Sequence, residues 1–206
     1  MVSFKKYRRR AAVNAAIAVL VPVCWFWLAF RIKGDGFMAG GLRTLKYFTV
    51  LSNLTAGAAA VLWLLYPESR GVQRLKLAAA VGVTITCLVV IGFLGWIYGF
   101  PMMYEGPSLW LHLLIPLLCM ADAVILENRQ YDRTDILCAG IPVLVYGTGY
   151  ITNILLNGAE GNDWYAFAAW GIFPVGLIIF AALILLSCGI GAAMAYLQKK
   201  TVRKKV

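Results

Sequence analysis

Six runs of mostly apolar residues constrain this chain more than any other feature of it. They occupy residues 11–30, 44–66, 75–97, 108–127, 135–156 and 170–197. A helix advances about 1.5 Å per residue, so about 20 residues cross the roughly 30 Å of hydrocarbon in a bilayer. Each run is near that length, and the chain is 62% hydrophobic and only 14% charged. No single soluble core could hide so much apolar surface, because ordinary domains are nearer half apolar and a quarter charged. The expected fold is an all-α membrane protein: one integral domain over residues 1–206, built as a bundle of six transmembrane helices.

The residues between the runs give an orientation. Lys5, Lys6, Arg8, Arg9 and Arg10 precede the first run, in the manner of a signal peptide. That run is long enough to span and no small-residue cleavage pattern follows it, so it is expected to stay as helix one. The formal net charge is +10. The basic residues form short clusters between apolar runs rather than one solvated face, which points to topology and away from nucleic acid. Placing both termini in the cytoplasm leaves only Arg31, Lys33, Arg43 and Lys46 of the 19 Lys and Arg residues on the other side. Helices two, four and six then run from outside to inside. The last run begins at Trp164, and residues 164–170 are expected to lie along the interface before a bend at Pro174.

Polar residues inside the apolar runs are the candidates for function. Thr49 and Asn53 stand one helical turn apart on one face of the second helix. The chain's one histidine, His112, lies in the fourth. Counted from residues 44 and 108, Thr49 and His112 both lie roughly 6–8 Å below the outer boundary. Thr152 and Asn153 stand near the outer end of helix five, which runs the other way. Asp122 is about 15 Å farther along the fourth helix than His112 and cannot orient that imidazole. It needs another partner, a cytoplasmic-side Arg or backbone.

Each of these residues also has a structural reading. A membrane threonine commonly bonds the carbonyl one turn earlier, asparagines glue helices together, and a neutral histidine can do the same. A single histidine excludes bis-histidine haem ligation and a multi-histidine metal site. The five cysteines fall inside apolar runs without metal-type or disulfide spacing. No metal and no cofactor is therefore expected.

Lys46-Tyr47-Phe48-Thr49 followed by Ser52-Asn53, with Leu111-His112-Leu113-Leu114-Ile115-Pro116 two helices later, resembles the androgen-induced gene family of six-helix membrane proteins, and in particular its bacterial relatives. Animal members of that family hydrolyse fatty acid esters of hydroxy fatty acids with a membrane-embedded threonine and histidine. The resemblance implies Thr49 as nucleophile and His112 as catalytic base in a multi-pass protein of a bacterial cell membrane, acting on a lipid or fatty-acyl ester. Imidazole is the usual base near neutral pH, and it would take the proton of a hydroxyl that is otherwise a poor nucleophile. Asn53, Asn153 and Ser52 are the candidates for substrate or oxyanion contacts, and a backbone carbonyl, Tyr or Asn for orienting His112. The rival readings are a small-molecule transporter and a non-catalytic lipid-binding membrane protein. Neither the oligomeric state nor the lipid follows from the sequence.

The charge bias carries a prediction of its own. A cysteine at position 160 (Glu160→Cys) should react with membrane-impermeant reagent from the non-cytoplasmic side alone; reaction only from the cytoplasm would invert the topology.

Overall fold

The computed structural model describes residues 4–31, 36–166 and 172–203. Six of its helices are long and apolar enough to cross a membrane. The helices are α1 (Phe4–Arg31), α2 (Gly36–Thr44), α3 (Phe48–Leu65), α4 (Arg70–Tyr98), the single turn α5 (Phe100–Met103), α6 (Pro107–Leu126), α7 (Arg133–Asn157) and α8 (Pro174–Val202). All but α2 and α5 are of spanning length. No strand occurs among the described residues.

The second apolar run departs from the expected helix over residues 44–66. It breaks at Leu45–Tyr47, and α3 starts at Phe48 with Tyr47 extended before it (φ −88°, ψ 132°). Side chains from elsewhere hold the break. Tyr146 donates to Lys46 O at 2.6 Å, and Phe48 N donates to the Tyr165 hydroxyl at 2.9 Å. Thr44 ends α2 by donating to Gly41 O at 2.6 Å while it accepts from Trp25 Nε1 at 2.9 Å. Thr49 therefore sits in the first turn of α3, so counting its depth from residue 44 overstates it. Helix four of the bundle starts close to where expected, whereas α4 begins at Arg70 rather than residue 75 because Ser69 caps it by accepting from Val72 N. The expected interfacial stretch 164–170 lies partly outside the described residues.

The central post is α4. In its most apolar window 67% of residues are buried, against 17% for α8, which faces outward. Small residues let α1, α3 and α4 close on one another: Ala56, Ala59 and Ala60 pack with Ile17, Val21, Leu77 and Val81 in a continuous core. Gly57 is tight enough that a Cβ there would meet Val21 Cγ1 at 3.0 Å. Close backbone approach is how membrane helices gain dispersion energy when lipid is as apolar as their own side chains.

At the end of the bundle where α1 and α4 begin, four charges lie inside this packing. Arg10 donates to Asp122 Oδ1 at 2.9 Å and pairs with Glu127 Oε2 at 2.6 Å; Lys76 Nζ lies 3.0 Å from Asp122 Oδ2. Asn14 receives Lys76 Nζ at 2.5 Å and donates to Asp122 Oδ1 at 3.0 Å. The Arg10 guanidinium also lies 4.6 Å over the Trp63 ring. None of the four ionic side chains is more than 5% exposed. Asp122 thus finds the arginine that its separation from His112 demanded, and a lysine besides. Arg10 and Lys76, two of the fifteen basic residues that the charge count assigns to the cytoplasmic side, are buried in the core.

The group is electrically neutral, and neutrality is what makes it tolerable. Removing one member strands a buried charge at a cost of about 3–5 kcal/mol. Asp122→Asn should lower the thermal midpoint and the yield sharply, whereas Asp122→Asn with Lys76→Gln, which leaves Arg10 facing Glu127, should recover much of the loss. Thermal unfolding in detergent measures both, and a double variant no better than the single would discount charge balance as the cause.

Candidate functional site

The fourth run supplies a local irregularity that explains why Asn53 is needed. Residues Trp110–Leu114 form a wide π turn, in which Ile115 N donates back to Trp110 O instead of to Leu111 O. The next residue, Pro116, has no N–H to offer. Leu111 O is thereby left without a partner inside its own helix, a costly state where water is absent. Asn53 Nδ2 supplies the donor at 3.0 Å and gives its second hydrogen to Thr49 O at 2.7 Å. One amide thus ties the turn that carries Thr49 to the turn that carries His112. The proximity of these two turns rests on this tie and not on the helix starts from which the residues were counted.

The same bonds remove Asn53 from the oxyanion role that the resemblance allowed it. Two carbonyls face Nδ2, which fixes the amide orientation and occupies both N–H groups. The remaining Oδ1, buried and without a hydrogen-bond partner, can only accept. Ser52 is likewise engaged: its hydroxyl donates to Thr49 O at 3.1 Å and lies 3.3 Å from Thr86 Oγ1. Asn153 stands elsewhere. It donates to Asn162 Oδ1 at 3.1 Å and accepts from Asn157 at 2.8 Å, a knot at the far end of α7, and its neighbour Thr152 is exposed. The expected convergence of helix five on the Thr49 layer comes from other residues, Tyr146 and Tyr150.

Those tyrosines wall a largely apolar cavity beside Thr49. It holds about 760 Å³ of empty space, its open mouth included, between the first turn of α3 (Phe48, Thr49), the α4 segment around Ile85 and Val90, α7 at Tyr146 and α8 at Phe180. Gly147 is required there because a Cβ would lie 2.0 Å from the Phe180 ring. Five hydroxyls line the cavity, and four are engaged. Thr86 donates to Gly82 O, Tyr146 to Lys46 O and Tyr150 to Asp163 Oδ1, while Tyr165 accepts from Phe48 N. Burial holds the Tyr165 phenol protonated, well above its ordinary range.

Thr49 is the exception. Its hydroxyl has no hydrogen-bond partner among the described residues, unlike Thr55, Thr84 and Thr201, each of which bonds the carbonyl four residues back. The structural reading of Thr49 fails for a local reason. The chain four residues earlier lies in the break at Leu45–Tyr47, so no helical carbonyl stands behind it.

His112 is oriented by backbone. Its Nδ1 lies 2.7 Å from Met103 O. A carbonyl only accepts, so Nδ1 carries the hydrogen, and in the neutral ring Nε2 keeps its lone pair. The side chains of Thr49 and His112 do not bond each other, and the cavity wall at Thr49 does not include His112. The structure brings together their backbone turns, not their functional atoms. Among the described residues no cluster of His, Cys, Asp and Glu could hold a metal ion.

Tyr146, Tyr150 and Phe180 were not expected at the site. Two tyrosines four apart in an apolar run, with Gly147 between them, were the available signal. Comparison with protein-family models, curated proteins and solved structures returned no match for this chain.

Replacing Asn53 by Ala leaves Leu111 O without its donor in a dry environment, while Thr49 O keeps the Ser52 hydroxyl, at a cost of about 1–3 kcal/mol. The thermal midpoint in detergent should fall accordingly; an unchanged midpoint would mean that the tie contributes nothing.

Proposed function

We propose that this chain is an intramembrane lipid-ester hydrolase in which Thr49 is the nucleophile and His112 the base. One observation carries the reading: on a cavity wall where the other hydroxyls are engaged, the Thr49 hydroxyl alone is without a partner. Thr49 is half-buried and lines the cavity, so the partner that its hydroxyl lacks can be supplied by a molecule bound there. The cavity beside it is apolar, as an acyl chain requires, and His112 keeps a basic nitrogen one interhelical tie away.

In the reaction, Thr49 Oγ1 attacks the ester carbonyl carbon while its proton passes to His112 Nε2. With no direct bond between the two, transfer runs through one water or after substrate draws the site together, a looseness usual in unliganded sites. The tetrahedral intermediate then expels the alcohol, which takes the proton from the imidazolium. Water hydrolyses the acyl-threonine by the same steps in reverse order, releasing the fatty acid. Asn53 and Ser52 position the Thr49 carbonyl rather than the oxyanion. The oxyanion is stabilised by the positive end of α3 and the Thr49 N–H, which has no partner among the described residues. The resemblance of the Thr49 and His112 segments favours fatty acid esters of hydroxy fatty acids, or similar acyl esters, as substrates, in a bacterial cell membrane with both termini cytoplasmic.

The absence of His112 from the cavity wall favours a second reading, a lipid-binding protein without catalysis. A fluorophosphonate probe on the purified protein separates the two. Under the hydrolase reading the probe labels the chain, and Thr49→Ala abolishes labelling. Thr49→Ala and His112→Ala each remove lipid-ester turnover, and the double variant loses little more, because members of one catalytic unit are not additive. Near-normal turnover in either single variant, or lipid binding without labelling, would leave the binding reading standing.

A further inference from the structure

The connection between α4 and α6 is one helical turn set between two glycines. Gly99 (φ 87°) and Gly106 (φ 58°) bracket it, both in backbone regions that L side chains rarely adopt. Between them α5 closes one helical turn, with Tyr104 N donating to Phe100 O at 3.0 Å. The Phe100 ring stacks on Tyr104 (6.1 Å, 16°), meets Trp96 edge-on (5.3 Å, 80°) and covers Gly95, where a Cβ would fall 2.5 Å from it. This piece presents Met103 O to His112 Nδ1.

Its other end is fastened to α1. Glu105 Oε1 lies 2.9 Å from Arg31 Nη2, the last residue of α1. The guanidinium lies so close to the strap backbone that a Cβ on Gly106 would meet Arg31 Nη1 at 2.5 Å. An ion pair at the surface is otherwise a minor stabiliser, yet here it closes a loop whose one carbonyl decides which nitrogen of His112 holds the hydrogen.

We propose that residues 99–106 form a strap, buckled by Arg31 and Glu105, that holds neutral His112 in its Nδ1–H form. Arg31 and Glu105 are positioning residues: they touch no reacting atom and act through Met103 O. Opened, the strap releases Nδ1, and the imidazole reverts to the Nε2–H form that free histidine side chains favour, in which the nitrogen proposed as base is blocked. The consequence for turnover rests on the hydrolase reading, whereas the tautomer does not.

Because this chain has one histidine, ¹⁵N-histidine labelling of the full-length protein in lipid nanodiscs gives the spectrum of a single imidazole. At a pH where the ring is neutral, the wild type should show Nδ1 protonated and Nε2 bare. Glu105→Gln and Arg31→Gln should each favour the open strap by a factor of up to about five, the reach of an exposed pair, and shift the spectrum toward Nε2–H. The charge-swapped Arg31→Glu/Glu105→Arg protein should restore it. Gly106→Ala displaces the arginine by contact rather than charge and should act like the single variants. If hydrolysis is observed, the same variants should lower kcat with little change in KM. A wild-type ring protonated on Nε2, or a tautomer that none of the variants moves, would overturn the strap; wild-type protein that shows the Nδ1–H signal but takes no fluorophosphonate label would overturn the hydrolase alone.

Discussion

Everything at the Thr49 end of the bundle depends on one carbonyl that has lost its helical donor. A π turn displaces the Ile115 N–H from Leu111 O, and Pro116 cannot replace it, so in hydrocarbon the chain must find a donor elsewhere or pay the desolvation in full. Asn53 provides it across the helix interface. The need is directional: a donor must arrive at one depth, from one face, with a second acceptor close by for its other hydrogen. Meeting it fixes α3 against α6 in register, and with them the turns carrying Thr49 and His112. Wide turns recur at functional sites because the distortion frees backbone groups for such uses.

The two ends differ in how their charges are held, buried at one and at the exposed rim at the other. Full charges gather where α1 and α4 begin, mutually neutralised around Asp122. Hydroxyls and amides gather at the Thr49 end, around the aromatic wall of Tyr146, Tyr150 and Tyr165, where the charges of Asp163, Arg31 and Glu105 stand at the rim. Between them α4 runs the whole distance, giving Lys76 to one layer and Thr86 to the other. A charged layer sets geometry rigidly, whereas hydroxyls can rotate to suit what they meet. The division suits a bundle anchored at one end and receptive at the other.

Six spanning helices were legible in the sequence because twenty-residue apolar runs have few other fates. Interruptions within runs were less so. The break at Leu45–Tyr47 is imposed by Tyr146 and Tyr165 from about 100 residues away, and no local pattern in Leu-Lys-Tyr announces it. The nearness of the Thr49 and His112 turns rests on the Asn53 tie, which the residue count did not contain. Asn53 was seen as polar and well placed; that both its hydrogens go to carbonyls depends on a π turn, which a proline four residues after His112 hints at without specifying. Asp122 was legible as structural from distance alone. Its partners were hidden in plain view, since Arg10 and Lys76 look like ordinary loop cations until the fold draws them inside.

The pairing of Arg10 with Asp122 across 112 positions of chain bears on how the bundle is made. During synthesis α1 and α4 are complete while the only cluster charges yet present are cations. Asp122 and Glu127 both come with α6 and its end, and they neutralise Arg10 and Lys76. The cluster therefore reaches neutrality only with the fourth spanning segment, which supplies both of its anions.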